Sequence, residues 1–362
     1  MPLSLLGHEA TSIDQFINKT CKGQTGFGEL TQLRQLFTAR FRRGLERLLN
    51  GTMVRTGQQA VCGVELGWID KIPVAENLVT KEKGELGDAI VFSYEQHLLP
   101  SGAVHRSEAR GVVLQAKIAT TPGQLLQPTV PVTTTPSSRK ELALMSAWPR
   151  FHLYPTANNR VATLEDVTLS PSAAPPAEGW FLAAPGERPK NASTWPSWWM
   201  AGKPLQGAQC DVTLGELLVA FLSPSPGGLD VGRRFAPDQI GAPARPASSP
   251  PDWSDLCNAV RRIAMAYEAP RSIFARPPWH IGPGLPRIHR LLGWMSDVDL
   301  LHQMLCPTYF SYEAMFGPHG YGIDDPFRSF RRGGPFVPEG EEGGMFVLSV
   351  TTTRLEEAWP RG

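Results

Sequence analysis

An α/β fold is predicted, on three observations. An apolar helical stripe at 29–49 is followed by three β-rich segments, at 58–69, 88–94 and 112–118. A further short helix at 138–147 follows them, so helices and strands alternate instead of segregating. The chain also carries 34 Pro and 35 Gly in 362 residues, which calls for short elements joined by much irregular connection. A hydrophobic content of 41% with 10 Trp is enough for a folded core. The expected architecture is a mixed sheet flanked by helices over residues 1–155, then a loop-rich α+β region over 156–362 of unassigned role.

Residues 1–28 are polar and Gly-rich, with Ile13, Phe16 and Ile17 marking a short helical turn. The first firm element is 29–49, where Leu30, Leu33, Leu36, Phe37, Phe41, Leu45, Leu48 and Leu49 recur at helical spacing and Asn50-Gly51 supplies a stop. Residues 58–69 read as a strand preceding the one that Asp88 opens. The segments 88–94 and 112–118 read as neighbouring strands, with Leu-Pro-Ser-Gly at 99–102 as a turn and 95–110 as a mixed-charge loop. Glu95, His97, His105 and Glu108 within that loop match no helical metal spacing. The 138–147 helix has Ser138 as cap with Glu141 three positions on, and the extended piece from Trp148 to Phe151 follows it.

Beyond residue 155 the chain changes character. Residues 171–204 are dense in Pro, Trp and Gly; Trp195, Trp198 and Trp199 either fill a loop-rich core or offer stacking surfaces. Residues 214–222 read as helix or strand, 236–251 as a linker, and 252–267 as a helix capped by Asp252 and ended by Pro270. Shorter helical pieces are expected at 286–305 and a strand at 343–355.

Several function classes find no support. There is no Walker loop, Gly-x-Ser-x-Gly, His-Glu-x-x-His or internal repeat. Five scattered cysteines without a Cys-x-x-Cys pair argue against disulfides and structural zinc. No basic stretch followed by an apolar run opens the chain, and no segment approaches about 18 apolar residues, so a cytoplasmic protein without membrane contact is expected. The net charge is only +1, but residues 1–60 hold eight Lys or Arg against four acids. Arg40, Arg43 and Arg47 on the 29–49 helix are candidates for phosphate contacts, and a solvated helix face is the alternative.

The chemistry concentrates in 85–119. Side chains alternate along a strand, so Gln115 and Lys117 share one face while Leu114, Ala116 and Ile118 take the other. A lysine in so apolar a strand is costly to bury without a negative neighbour, and Asp88 at the head of the adjacent strand supplies one. Asp88 and the Gln115 oxygen suit a hard divalent cation, and Lys117 suits a role beside one of its waters, which is the equipment of phosphodiester hydrolysis. Glu65, on the strand expected to pair with the Asp88 strand, is one candidate for a further carboxylate, with pairing to a surface lysine such as Lys71 as its alternative. Glu46 is another, with pairing to a neighbouring arginine as its alternative. Glu85 is a third, reading first as the end of the preceding loop.

An Asp heading one strand, then Glu or Gln, one residue and Lys in the next, resembles the signature of the PD-(D/E)xK nuclease superfamily. Its Gln-x-Lys form is similar to that of the Mrr-like restriction enzymes. Here Gly87-Asp88 stands where that signature has Pro-Asp, and Gln115-Ala116-Lys117 forms the second half. The resemblance spans roughly residues 28–150. It implies a restriction-endonuclease-like sheet in the chain order helix, strand, strand with Asp, strand with Gln-x-Lys, helix, strand. It further implies catalysis by Asp88, Gln115 and Lys117, with Mg2+ or Mn2+ as cofactor and DNA as substrate. Defence against foreign DNA or phage follows as the setting, alone, as a homo-oligomer or with a partner protein. The same fold also serves non-cutting subunits that bind nucleic acid or protein.

Overall fold

The computed structural model describes residue 5 and residues 7–20, 29–69, 72–98, 104–119, 129–130, 135–169, 176–185, 198–237, 250–266 and 344–355. The expected helical pieces at 286–305, the Pro270 stop and Trp195 lie outside the described residues.

Three helices open the chain: α1 (Gly7–Thr20), α2 (Glu29–Leu36) and α3 (Ala39–Arg55). The short turn expected around Ile13 is a helix of 14 residues. Its acids hid it, because Glu9 and Asp14 are buried and interrupt the apolar stripe. Both have partners: Glu9 accepts from Thr52 (3.0 Å) and Arg55 (2.8 Å), and Asp14 accepts from the amide of Gly215 (2.8 Å). The single helix expected at 29–49 is two. Thr38 adopts an extended backbone and its hydroxyl accepts from Phe41 N at 3.1 Å, capping α3 and breaking the run. Asn50 does not stop α3. Its amide instead donates to the carbonyl of Cys62 (2.8 Å) and accepts from the Cys62 amide (2.9 Å), tying the helix to the next strand.

The strands that follow are β1 (Ala60–Ile69), β2 (Val74–Asn77), β3 (Lys83–Glu85), β4 (Ala89–Leu98) and β5 (Val104–Ile118). After them come α4 (Pro136–Ala147), β6 (Phe151–Tyr154), β7 (Leu164–Val167), β8 (Gly179–Ala184), β9 (Met200–Gly202) and β10 (Val212–Thr213). The chain closes through α5 (Leu214–Leu222), β11 (Arg233–Phe235), α6 (Trp253–Ala266) and β12 (Met345–Leu355). The interval 95–110, expected to be a loop, is largely strand: β4 and β5 form one long antiparallel ladder. Its polar residues are balanced across strands, as by Glu95 with Arg354 (2.9 Å) and Glu108 with Arg234 (3.4 Å).

The result is a mixed α/β architecture. An eight-stranded mixed sheet runs β1-β12-β4-β5-β8-β9-β10, with β11 also on β5; a second sheet runs β3-β2-β6-β7. Two expectations change here. The strand β1 does not pair with β4, because β12 lies between them, antiparallel to β1 and parallel to β4. The strand following α4 beside β5 is β8, parallel to it, whereas the piece at Phe151 joins the second sheet against β2. The sheet thus takes β8, β9, β10, β11 and β12 from beyond residue 155, so that division of the chain is not a division of the sheet. Helices α1, α2, α3 and α5 cover one face over Val64, Leu66, Val91, Leu114, Ala116 and Leu348; α4, α6 and the second sheet cover the other over Ile90, Phe92, Val113 and Phe181.

Two backbone details set the position of the strand ends. A Cβ at Gly87 would sit 2.5 Å from Val113 Cγ1, so the chain entering β4 presses on β5 and only glycine fits. A Cβ at Gly179 would sit 2.8 Å from Met145 Cε, so α4 lies close over the start of β8. The N-terminus of α4 is capped by Thr135, not Ser138, with Pro136 in the first turn.

Candidate functional site

Asp88 ends the β4–β5 ladder with its side chain. Its Oδ2 accepts from the backbone amide of Ala116 (2.8 Å) and from Gln115 Nε2 (2.5 Å), while its own backbone bridges Leu114 (3.0 Å) and Phe346 (2.9 Å). Gln115 therefore turns its amine toward Asp88, and its Oε1 is buried without a hydrogen-bond partner. Leu114 and Ala116 pack in the core beneath α1–α3 and α5, which places Gln115 and Lys117 on the α4 side. Lys117 reaches α4, where its amine lies 2.8 Å from Glu141 Oε2. The other Glu141 oxygen accepts from Ser137 Oγ at 2.7 Å. Asp88, Gln115, Lys117 and Glu141 thus converge where β4 begins and β5 ends.

The electrostatics are those of crowded acids around one lysine. Glu85, at the end of β3, and Glu29, at the start of α2, add their fields to those of Asp88 and Glu141. Burial pushes the Asp88 carboxyl up to about 8; Lys117 and the Ala116 amide oppose that shift, and Glu85 and Glu141 reinforce it. Burial, with Glu141 next, also raises Glu85. Burial pulls Lys117 down, but Glu141, then Asp88 and Glu29, outweigh it and hold the ammonium above its ordinary range.

Glu65 and Glu46 stand elsewhere. Glu65 is paired in register with Ser349 and, through it, with Phe92. That puts it two strands over, about 10 Å, and four residues along, about 13 Å, from Asp88. Glu46 lies on α3, over the opposite face of the sheet, and its carboxylate pairs with Arg42 at 3.0 Å. Burial raises its pKa, with Arg42 opposing. Arg40, Arg43 and Arg47 form an exposed stripe along α3. The carboxylate that sequence reasoning missed is Glu141. It shares a helix face with Ser138, Leu142 and Met145, all buried. An acid on the buried stripe of α4 was the available signal, hidden by its resemblance to a capping residue.

The donor chemistry of Asp88, Glu85, Glu141 and the orphaned Gln115 Oε1 suits a hard cation, since all are oxygens and the acids outnumber the lysine. Among the described residues, however, no three His, Cys, Asp or Glu side chains come together closely enough to hold a metal ion. Also among the described residues, no helix is long and apolar enough to cross a membrane. No family model matches the chain, and neither a curated protein nor a solved structure matches it.

Proposed function

We propose that the chain is a metal-dependent nuclease that hydrolyses DNA phosphodiester bonds, with the defence against foreign DNA that its resemblance implies as its setting. The observation that carries this reading is the meeting of Asp88, Gln115 and Lys117 at the adjoining ends of two antiparallel strands, linked by the 2.5 Å Asp88–Gln115 hydrogen bond. The order α3, β1, β4, β5, α4, β8 supports it, with β12 as an addition to the restriction-endonuclease-like pattern. Asp88 and Gln115 Oε1 would hold Mg2+ or Mn2+, with Glu141 or Glu85 as the further carboxylate. The bound cation supplies charge neutralisation at the phosphate and a more acidic water. Lys117 adds a positive charge beside the phosphate, and the exposed arginines of α3 supply contacts along the nucleic-acid backbone.

Pure protein should nick or cut plasmid DNA in magnesium or manganese and not in chelator, on supercoiled or single-stranded substrate. Lys117→Ala and Asp88→Ala should abolish cutting while leaving nucleic-acid affinity largely intact. Cutting that survives the loss of Lys117 would remove the mechanism. A second reading, a non-cutting binding subunit of the same fold, is favoured by the closure of Lys117 on Glu141 at 2.8 Å. Well-folded protein that binds but never cuts DNA or RNA would establish that reading.

A further inference from the structure

Resting on the nuclease reading, we infer that Trp198 is a stacking platform for an unpaired base of the strand being cut, so that the substrate is single-stranded or locally opened nucleic acid. The sheet carries this placement. Lys117 stands opposite Ala183 on β8, and Ala183 opposite Met200 on β9, so the three share one row. Because β9 runs antiparallel to β8, the residues before Met200 extend past the end of β5, the end where Asp88 and Gln115 meet. Two strands across and two residues out put the Trp198 backbone about 12 Å from that of Lys117. Alternation fixes the face: Trp199 packs in the core beneath α1–α3 and α5, Met200 in the core on the α4 side, so Trp198 returns to the α4 side, which is that of Lys117. Burial separates the two tryptophans, Trp199 being 1% exposed and Trp198 40%. Among the described residues, the other exposed large apolar side chains are Val54, Val79, Val161 and Leu205, none of them aromatic. Any base offers a π-face to an indole, and the apolar surface buried between them rewards the contact. The charges suit the same occupant: Lys117 in the site and Arg139 and Lys140 near the start of α4 are available to the phosphates. At about 3.4 Å for each stacked residue of one strand, the distance from Lys117 to Trp198 is roughly three nucleotides. In an intact duplex the bases are stacked inward, beyond the reach of a ring on the protein surface, so the base that Trp198 receives is unpaired.

The test measures binding in chelator, so that it does not depend on cutting. Two labelled probes are titrated by fluorescence anisotropy: a thymidine oligonucleotide of about a dozen residues, and an abasic oligonucleotide of the same length, which carries the phosphates without the bases. Wild type should bind the thymidine probe about tenfold more tightly than the abasic one. Trp198→Ala should lose about that factor on the thymidine probe and little on the abasic probe, which ties the loss to the base. Trp198→Tyr, which keeps a stacking ring, should stay within about threefold of wild type. An alanine variant that binds the thymidine probe as wild type does, an equal loss on both probes, a tyrosine variant as weak as alanine, or a wild type that binds neither probe overturns the inference. Wild type that shows the base-dependent loss at Trp198, yet cuts nothing when magnesium or manganese is restored, would retire the nuclease reading and leave the platform standing. Wild type that cuts, with an alanine variant unchanged in binding, would retire the platform alone.

Discussion

Asp88→Asn is expected to stabilise the protein while destroying its activity. The reasoning starts from burial: Asp88 is 4% exposed, and its carboxyl is pushed from 3.8 up to about 8. Between those values the folded protein holds a proton that the unfolded chain releases, so stability declines as pH rises through that window. Below about 3.8 both states are protonated and Asp88 costs nothing; above about 8 both are ionised and the cost is complete. At pH 7 the penalty is of order 4 kcal/mol, from 1.36 kcal/mol for each pH unit above 3.8. Asparagine carries no such penalty. Its oxygen can take the Ala116 amide, and a turned Gln115 amide would then offer Oε1, now unpartnered, to the new amine. Urea unfolding of both proteins between pH 5 and pH 9 should show the variant more stable by about 5 kcal/mol near pH 8, the gap narrowing to about 1–2 kcal/mol at pH 5. A variant less stable than wild type at pH 8, or a difference that ignores pH, would refute the account of Asp88 as a charge held in place at the expense of stability.

Gly87→Ala should destabilise by about 1–3 kcal/mol, because its Cβ would meet Val113 Cγ1 at 2.5 Å in a packed sheet; thermal unfolding no lower than wild type would show that the strand entrance yields. Replacing Arg40, Arg43 and Arg47 together with Gln should leave the fold intact and reduce the salt slope of DNA binding by up to about 3, measured by fluorescence anisotropy across salt concentrations. An unchanged slope would move the phosphate contacts off α3.

What could be read from the sequence was whatever has a local signature. Helix α6 was legible because Asp252 caps it, its Oδ1 accepting from Ser254 N at 2.8 Å, and because Trp253, Leu256 and Val260 repeat on one buried face. The Asp88 and Gln-x-Lys strands were legible for a similar reason, a dense β-branched run on each side of a turn. The place of β12 was not. Its partners on β1 and β4 lie some 250 residues or more away, and a strand of Val, Thr and Leu looks the same wherever it pairs. That one insertion displaced Glu65 from the Asp88 strand and with it the expected third carboxylate. The ends of β4 and β5 were misread because Glu95 and Glu108 look like loop residues until their cross-strand partners, Arg354 and Arg234, are known.

The same distant pairing explains why the site is so acidic. With β12 between β1 and β4, the carboxylates near Asp88 come from the opposite direction, from β3 and α4, and Lys117 is met by Glu141 before anything else. One lysine already in an ion pair cannot balance Asp88, Glu85 and Glu29 as well. Near neutral pH the cheapest balance is a proton, and the group that takes it is Asp88, whose burial raises its carboxyl to about 8. A divalent cation would compete with that proton for the same oxygen, so the two states of the site, protonated and cation-bound, exclude each other. Loading should therefore strengthen as pH approaches the Asp88 value of about 8 and weaken below it. On the proposed nuclease reading, the burial that raises Asp88 would favour the protonated state in mildly acidic conditions and would admit a cation only as the proton leaves.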